Sequence, residues 1–168
     1  VEVAGTFIQA YYIQLADNDP KNIDVSVVLN GYEKANQQVT IEIPAANLKT
    51  ICITDSEGKA KTTIPAKSLN LWSPENPYLY EVKLTHNSEV LADKIGFRTI
   101  QTKGSDILLN GRPVFLRGIC MHEENGVRGG RAYSREDAQM LLGWAKELGC
   151  NFVRLAHYPH NENMTRVA

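Results

Sequence analysis

The chain has no long apolar run: nothing approaches the roughly 18–20 consecutive apolar residues of a membrane-spanning helix, so no membrane partner is expected. It also lacks an excess of charge. The 18 Lys and Arg stand against 19 Asp and Glu, a formal net charge of −1 at pH 7, so neither a phosphate backbone nor an anionic surface is courted and no nucleic-acid partner is expected. Cysteine is scarce. Cys52, Cys120 and Cys150 show no CxxC spacing, which argues against a disulfide framework or a zinc knuckle and predicts plain buried or half-buried thiols. The opening Val1-Glu2-Val3-Ala4 has neither the basic start nor the apolar stretch of a secretory signal, and no initiator Met. A start directly in strand-like sequence leads us to expect a piece of a longer protein.

What is present falls into two halves with different periods. Up to about residue 100 the apolar residues alternate: Ile23, Val25, Val27 and Leu29, then Val39, Ile41 and Ile43, then Tyr80, Val82 and Leu84, the pattern of half-buried strands. With Phe7 to Leu15, Thr50 to Ile53, Lys61 to Ile64 and Ile95 to Ile100, about seven short strands are predicted. Turn-rich stretches such as Asp17-Asn18-Asp19-Pro20 and Asp55-Ser56-Glu57-Gly58 separate them. Seven alternating strands in about 100 residues predict an immunoglobulin-like β-sandwich over residues 1–101.

From residue 102 the character changes. Asn110-Gly111 sits between two apolar runs, a two-residue hairpin signal because both turn positions want positive φ. Val114 to Ile119 reads as a mostly buried strand. Ser134, with Asp137 three places on, reads as a helix N-cap. Ala138, Leu141, Leu142, Ala145 and Leu148 follow at helical spacing, with a stop at Gly149. Phe152 to Leu155 is again a short apolar strand. Strand, helix and strand make a βαβ unit with two parallel strands; a complete (β/α)8 TIM barrel takes about 250 residues, so residues 102–168 hold only its beginning, with another helix opening between Asn161 and Val167.

Ligands of parallel α/β folds sit at the carboxyl ends of the strands. Past the first strand lie His122, Glu123, Glu124 and Asn125; at the end of the second lie Arg154, His157, Tyr158, His160 and Asn161. Both groups belong to one end of the unit, which points to a site for a polar ligand. Neighbours in extended chain diverge, so Glu123 and Glu124 do not read as a catalytic carboxylate pair. His122, His157 and His160 do not read as a metal site, since Pro159 forbids helical presentation; no metal and no cofactor is expected. Arg154 lies in an otherwise apolar strand, where it needs an acidic partner or a wet cavity. Trp144 reads as packing.

The run Asn151-Phe-Val-Arg-Leu-Ala-His-Tyr-Pro159 closely resembles the first signature of glycoside hydrolase family two, the β-galactosidase and β-glucuronidase group. Leu71-Trp-Ser-Pro-Glu-Asn-Pro-Tyr-Leu-Tyr80, Gly96-Phe-Arg98 and Leu109 to Ile119 followed by His122-Glu123 support the resemblance. It implies a middle sandwich domain and the start of the catalytic barrel of a retaining β-glycosidase, acting on a β-linked glycoside. The acid/base and nucleophile glutamates would lie beyond residue 168, leaving this chain without catalytic residues and inactive alone. His157 is similar to a histidine that contacts sugar hydroxyls, His122 to its partner, and Arg154 to the arginine that orients the nucleophile; Glu123 and Asn161 complete the expected substrate-binding set. A barrel begun but not closed leaves open strand edges, from which a homo-oligomer is expected. The alternative is a non-catalytic carbohydrate-binding or scaffold module, which needs an exposed aromatic platform. Tyr11, Tyr12 and Tyr32 are its candidates, and adjacency in a strand sends either Tyr11 or Tyr12 inward.

Overall fold

A computed structural model of the chain describes residues 5–17 and 19–168. Val1 to Ala4, and Asn18 within the expected turn at Asp17–Pro20, lie outside the described residues. The chain divides into two compact units, one running to Val114 and the other Phe115–Ala168.

Among the described residues the first unit contains a β-sandwich. One sheet has the order β1 (Phe7–Ala16), β2 (Asp19–Asn30) and β5 (Lys59–Pro65); the other has the order β4 (Leu48–Ile53), β3 (Gln38–Ile43), β6 (Tyr80–His86) and β7 (Glu89–Ile95), all antiparallel. The alternation of β2, β3 and β6 is the cause: Ile23, Val25, Val27 and Leu29 from one sheet and Val39, Ile41, Ile43, Val82 and Leu84 from the other are all buried in one core, so a one-residue slip of any of these strands would turn its apolar set out to water. Tyr11 packs against this core and its hydroxyl donates to Asp93 at 2.7 Å, whereas Tyr12 on the other face of β1 is exposed.

Leu71 to Tyr80 and Gly96 to Arg98 lock onto each other. The Trp72 amide donates to the Phe97 carbonyl at 2.8 Å, Tyr80 and Phe97 pack with ring centres 5.5 Å apart, and the Arg98 guanidinium lies 5.5 Å from the centre of the Trp72 ring. Beyond them β8 (Ile100–Lys103), β9 (Asp106–Leu109) and β10 (Arg112–Val114) form a small antiparallel sheet. The turn between β9 and β10 is the expected one, with Asn110 at φ 51° and Gly111 at φ 75°. Asn110 bonds in both directions with the backbone of Thr99 and donates to the Trp72 carbonyl. These hairpin strands count with the first compact unit, which ends at Val114.

Two strand expectations are corrected. Ile95 to Ile100 is not one strand: β7 ends at Ile95, β8 begins at Ile100, and Phe97 between them turns into the core. Val114 to Ile119 is likewise split, because β10 pairs with β9 and β11 (Gly118–Met121) pairs with a different strand, leaving Phe115 between them exposed.

In the second unit β11 pairs in parallel with β12 (Phe152–Leu155), and α1 (Arg135–Glu147) connects them. Ser134 caps α1, its hydroxyl accepting from the Asp137 amide while Asp137 bonds back to the Ser134 amide. Ala138, Leu141 and Ala145 of the helix pack on Ile119, Met121, Val153 and Leu155, one face of the two strands. The other face, with Cys120, Phe152 and Arg154, is exposed. Cys120 thus departs from the expected buried thiol, while Cys52 is buried and Cys150 half-buried. Trp144 also departs from expectation: it lies on the outer side of α1, exposed and away from the cluster. A short helix, α2 (Glu162–Val167), follows with Asn161 as its N-cap.

Candidate functional site

Parallel pairing in register, Cys120 opposite Arg154 and Met121 opposite Leu155, brings the chain leaving β11 beside the chain leaving β12. The Ala156 amide continues the ladder by donating to the Met121 carbonyl at 2.9 Å, and the Ala156–His157 peptide is cis. Asn151 secures the other end: its side chain accepts from the Arg117 amide at 2.8 Å and donates to the Phe115 carbonyl at 2.9 Å.

At the carboxyl ends the expected residues meet in two groups. His122, Arg154 and His157 are exposed together: the imidazole rings of His122 and His157 lie edge to face at 5.4 Å, and Arg154 Nη2 is 3.1 Å from His157 Nδ1. A guanidinium can only donate, so Nδ1 accepts and the His157 proton sits on Nε2. Arg154 has no carboxylate partner among the described residues; its neighbours are His157 and, at 3.7 Å, the Cys120 sulfur. Of the two environments expected for Arg154, an acidic partner or a wet cavity, its exposure to water corresponds to the second.

Glu123 and Asn161 form the second group, and it faces inward. Glu123 is 3% exposed. Its Oε2 accepts from Arg131 Nε at 2.7 Å and its Oε1 from the Asn161 amide, while its own amide donates to the Tyr158 hydroxyl at 3.1 Å. Burial pushes the Glu123 carboxyl up, but the Asn161 amide and the Arg131 guanidinium outweigh it and hold the carboxyl below its ordinary value. The Asn161 side chain accepts from the Asn163 amide at 3.0 Å to cap α2. In this structure the hydrogen bonds of these two are made within the protein. Glu124 is exposed, so the adjacent pair diverges.

Tyr158 joins the groups, its ring edge to face with His122 at 5.9 Å and stacked on His160 at 5.1 Å. His160 Nε2 donates to the Ala156 carbonyl at 3.0 Å, which leaves its buried Nδ1 an acceptor without a partner among the described residues.

Sequence reasoning missed the polar frame of the loop between β11 and α1. Buried Asn125 donates to Asp137 Oδ1 at 2.6 Å and accepts from the amides of Val127 and Arg128; Arg128 reaches Asp137 Oδ2 at 2.5 Å. The Arg128 guanidinium holds the Asp137 carboxyl well below the usual carboxylate range despite its burial, helped by the Ser134 amide, the Asn125 side chain and the Tyr133 amide. Asp137 was legible as a capping residue, but its second role depends on residues whose spacing carries no period.

Family profiles match the chain in tandem: glycosyl hydrolases family 2 over residues 6–98, and the TIM barrel domain of glycosyl hydrolases family 2 over residues 100–168. A β-galactosidase of Arthrobacter sp. is 33% identical over 121 residues, 72% of this chain and 12% of that protein. A β-glucuronidase of Streptococcus agalactiae serotype V is 30% identical over 105 residues, 60% of this chain and 17% of that protein. Among solved structures, a Bifidobacterium dentium β-glucuronidase complexed with coumarin-3-O-glucuronide superposes with a TM-score of 0.83 at 22% identity, covering 98% of this chain and 29% of that one. A β-galacturonidase from Eisenbergiella tayi bound to galacturonate gives 0.76 at 25% identity, covering 95% and 30%. The chain spans from 10% to 17% of the length of these and similar curated relatives.

Proposed function

Because the chain belongs to glycosyl hydrolase family 2, we propose that it supplies the sugar-facing imidazoles and the arginine of a retaining β-glycosidase, while the two catalytic glutamates lie elsewhere in the protein. The observation that carries this reading is the cluster at the carboxyl ends of β11 and β12: two imidazoles 5.4 Å apart, one of them bonded to Arg154. A developing oxocarbenium ion gains from hydrogen bonds to ring hydroxyls that strengthen in the transition state, and a neutral imidazole donates one without placing positive charge beside it. His157, with its proton on Nε2, is such a donor. Arg154 has a second role open to it. A guanidinium next to a nucleophilic carboxylate keeps that carboxylate ionised.

Retention needs two carboxyl groups about 5–5.5 Å apart around one bond. Glu123 has both oxygens engaged while Glu124 is exposed, which supports placing the pair outside these two neighbours. We expect the purified chain to release no p-nitrophenol from p-nitrophenyl β-galactoside or β-glucuronide above the rate without protein; release proportional to protein would overturn the assignment of the glutamates. A sugar-binding role for the cluster predicts that β-galactoside or β-glucuronide shifts the His122 and His157 imidazole signals, and an unmoved spectrum counts against it. The reading also includes self-association through the open face and edges of the β11–β12 pair.

A further inference from the structure

On the first unit, the outward face of the β1–β2–β5 sheet carries two rows of side chains fixed by strand register. Tyr12 lies opposite Ser26, which lies opposite Lys61; Asp24 lies opposite Gln14 on one side and Thr63 on the other. In the first row the central strand bears the small Ser26 between two long neighbours. Strands lie about 4.8 Å apart, so Tyr12 and Lys61 stand about 10 Å from each other across it. The result is a trough of about 370 Å³ lined by these residues, at the small end of the about 300–1,000 Å³ of small-molecule sites.

The lining is chemically particular. The Tyr12 ring is 72% exposed. Among the described residues, the side-chain polar atoms of Tyr12, Gln14, Ser26 and Lys61 have no partner in the protein, and Asp24 uses only Oδ1, which accepts from Thr63 at 2.6 Å. An apolar ring face beside unspent donors and acceptors of both kinds matches a molecule with a C–H face and hydroxyl groups that both donate and accept. Peptide backbone is a poorer match, because the amides and carbonyls of β2 are spent on pairing with β1 and β5, and the trough has no deep apolar pocket to anchor a side chain. We propose that this trough is a saccharide-binding site, with a sugar ring stacked on Tyr12 and its hydroxyls held by Ser26, Gln14, Asp24 and Lys61.

The test is a titration of the 15N-labelled chain with lactose, cellobiose and methyl β-D-glucuronide, each reaching tens of millimolar because so open a site binds weakly. The proposal expects saturable amide shifts at residues 12, 26 and 61 with at least one sugar, Tyr12→Ala weakening that sugar about tenfold, and Tyr12→Phe, which keeps the ring, staying within about threefold. Lys61→Ala gives an independent loss, and it decides the matter should Tyr12→Ala alter the dispersion of the β1–β2–β5 signals. No shift with any of the three sugars overturns the proposal. So do shifts that survive both alanine variants, and shifts that follow protein concentration rather than sugar, which would make the face a contact between copies.

Discussion

A carboxylate that is 3% exposed has to find its hydrogen bonds inside the protein, and Glu123 finds them on two loops at once, from Arg131 before α1 and from the Asn161 amide before α2. Its neighbours in sequence and space are the exposed rings: His122 precedes it, and Tyr158, which accepts from its amide, stands against His122. Replacing it by Gln keeps the shape, removes the charge, and turns an amide N–H towards one of the two donors. Breaking a buried pair costs about 3–5 kcal/mol; here Arg131 is 65% exposed and can turn to water, so Glu123→Gln should cost about 2 kcal/mol. The pH dependence carries a sign. The folded-state pKa of Glu123 is lowered, so its stabilisation is complete above the ordinary carboxylate value of about 4.3 and is lost as pH falls through the lower folded value. The protection factors of the β11 and β12 amides, which refer each exchange rate to the intrinsic rate at the same pH, should therefore fall on acidification from about pH 5 to pH 3, and less steeply in the variant. The fall would not be abolished there, since Asp137 shifts in the same direction. An equal acid response in both proteins would show that Glu123 is not charged in the folded state.

At the scale of the elements, the spacing of the two histidines depends on how closely β11 and β12 pair. A Cβ built on Gly118 would stand 2.5 Å from the Phe152 carbonyl oxygen and 2.7 Å from its ring, and the backbone atom cannot move without opening the ladder. Gly118→Ala should thus destabilise the second unit by about 1–3 kcal/mol and weaken the contact between the His122 and His157 rings, read as loss of the nuclear Overhauser effect between them. Retention of that effect at unchanged stability would refute the argument. This dependence was hidden in the sequence, where Gly118 belonged to a run that read as one strand. Legibility follows burial: β2, β3 and β6 put one face into a core and alternate clearly, as does α1 with its capping residues. β7 was missed because none of its residues is fully buried and Glu89, Asp93 and Lys94 interrupt the pattern. The exposed cluster of His122, Arg154 and His157 was legible because residues after parallel strands converge by topology. The inward turn of Glu123 was not, since its partners are set by loop conformation and one of them is a backbone amide 38 residues away.

For the whole molecule, the two units differ in how much apolar surface each can bury. The sandwich core is built from large branched side chains. The buried core of the second unit consists of Met121, Ala132, Ala138, Leu141, Ala145 and Met164, half of them alanine, and small cores give marginal stability. The same unit exposes Phe115 at 80% and Leu148 at 71%, together with Phe152 on the uncovered face of a two-stranded parallel sheet. Parallel sheets are stable when both faces are covered, and an open edge is a template for another strand. On the self-association proposed above, a second copy provides both kinds of cover for this chain by itself, so its sedimentation mass should rise above that of one chain as concentration increases, and the unfolding temperature of the second unit should rise with it, because association stabilises whatever it binds. Phe115→Ser combined with Phe152→Ser should return the mass to one chain, whereas Tyr32→Ser on the sandwich, an aromatic more exposed than either on a unit with a filled core, should leave it unchanged. If the chain sediments as a single copy at every concentration, or if the sandwich substitution dissociates it as readily, the open face of β11 and β12 is not what holds copies together.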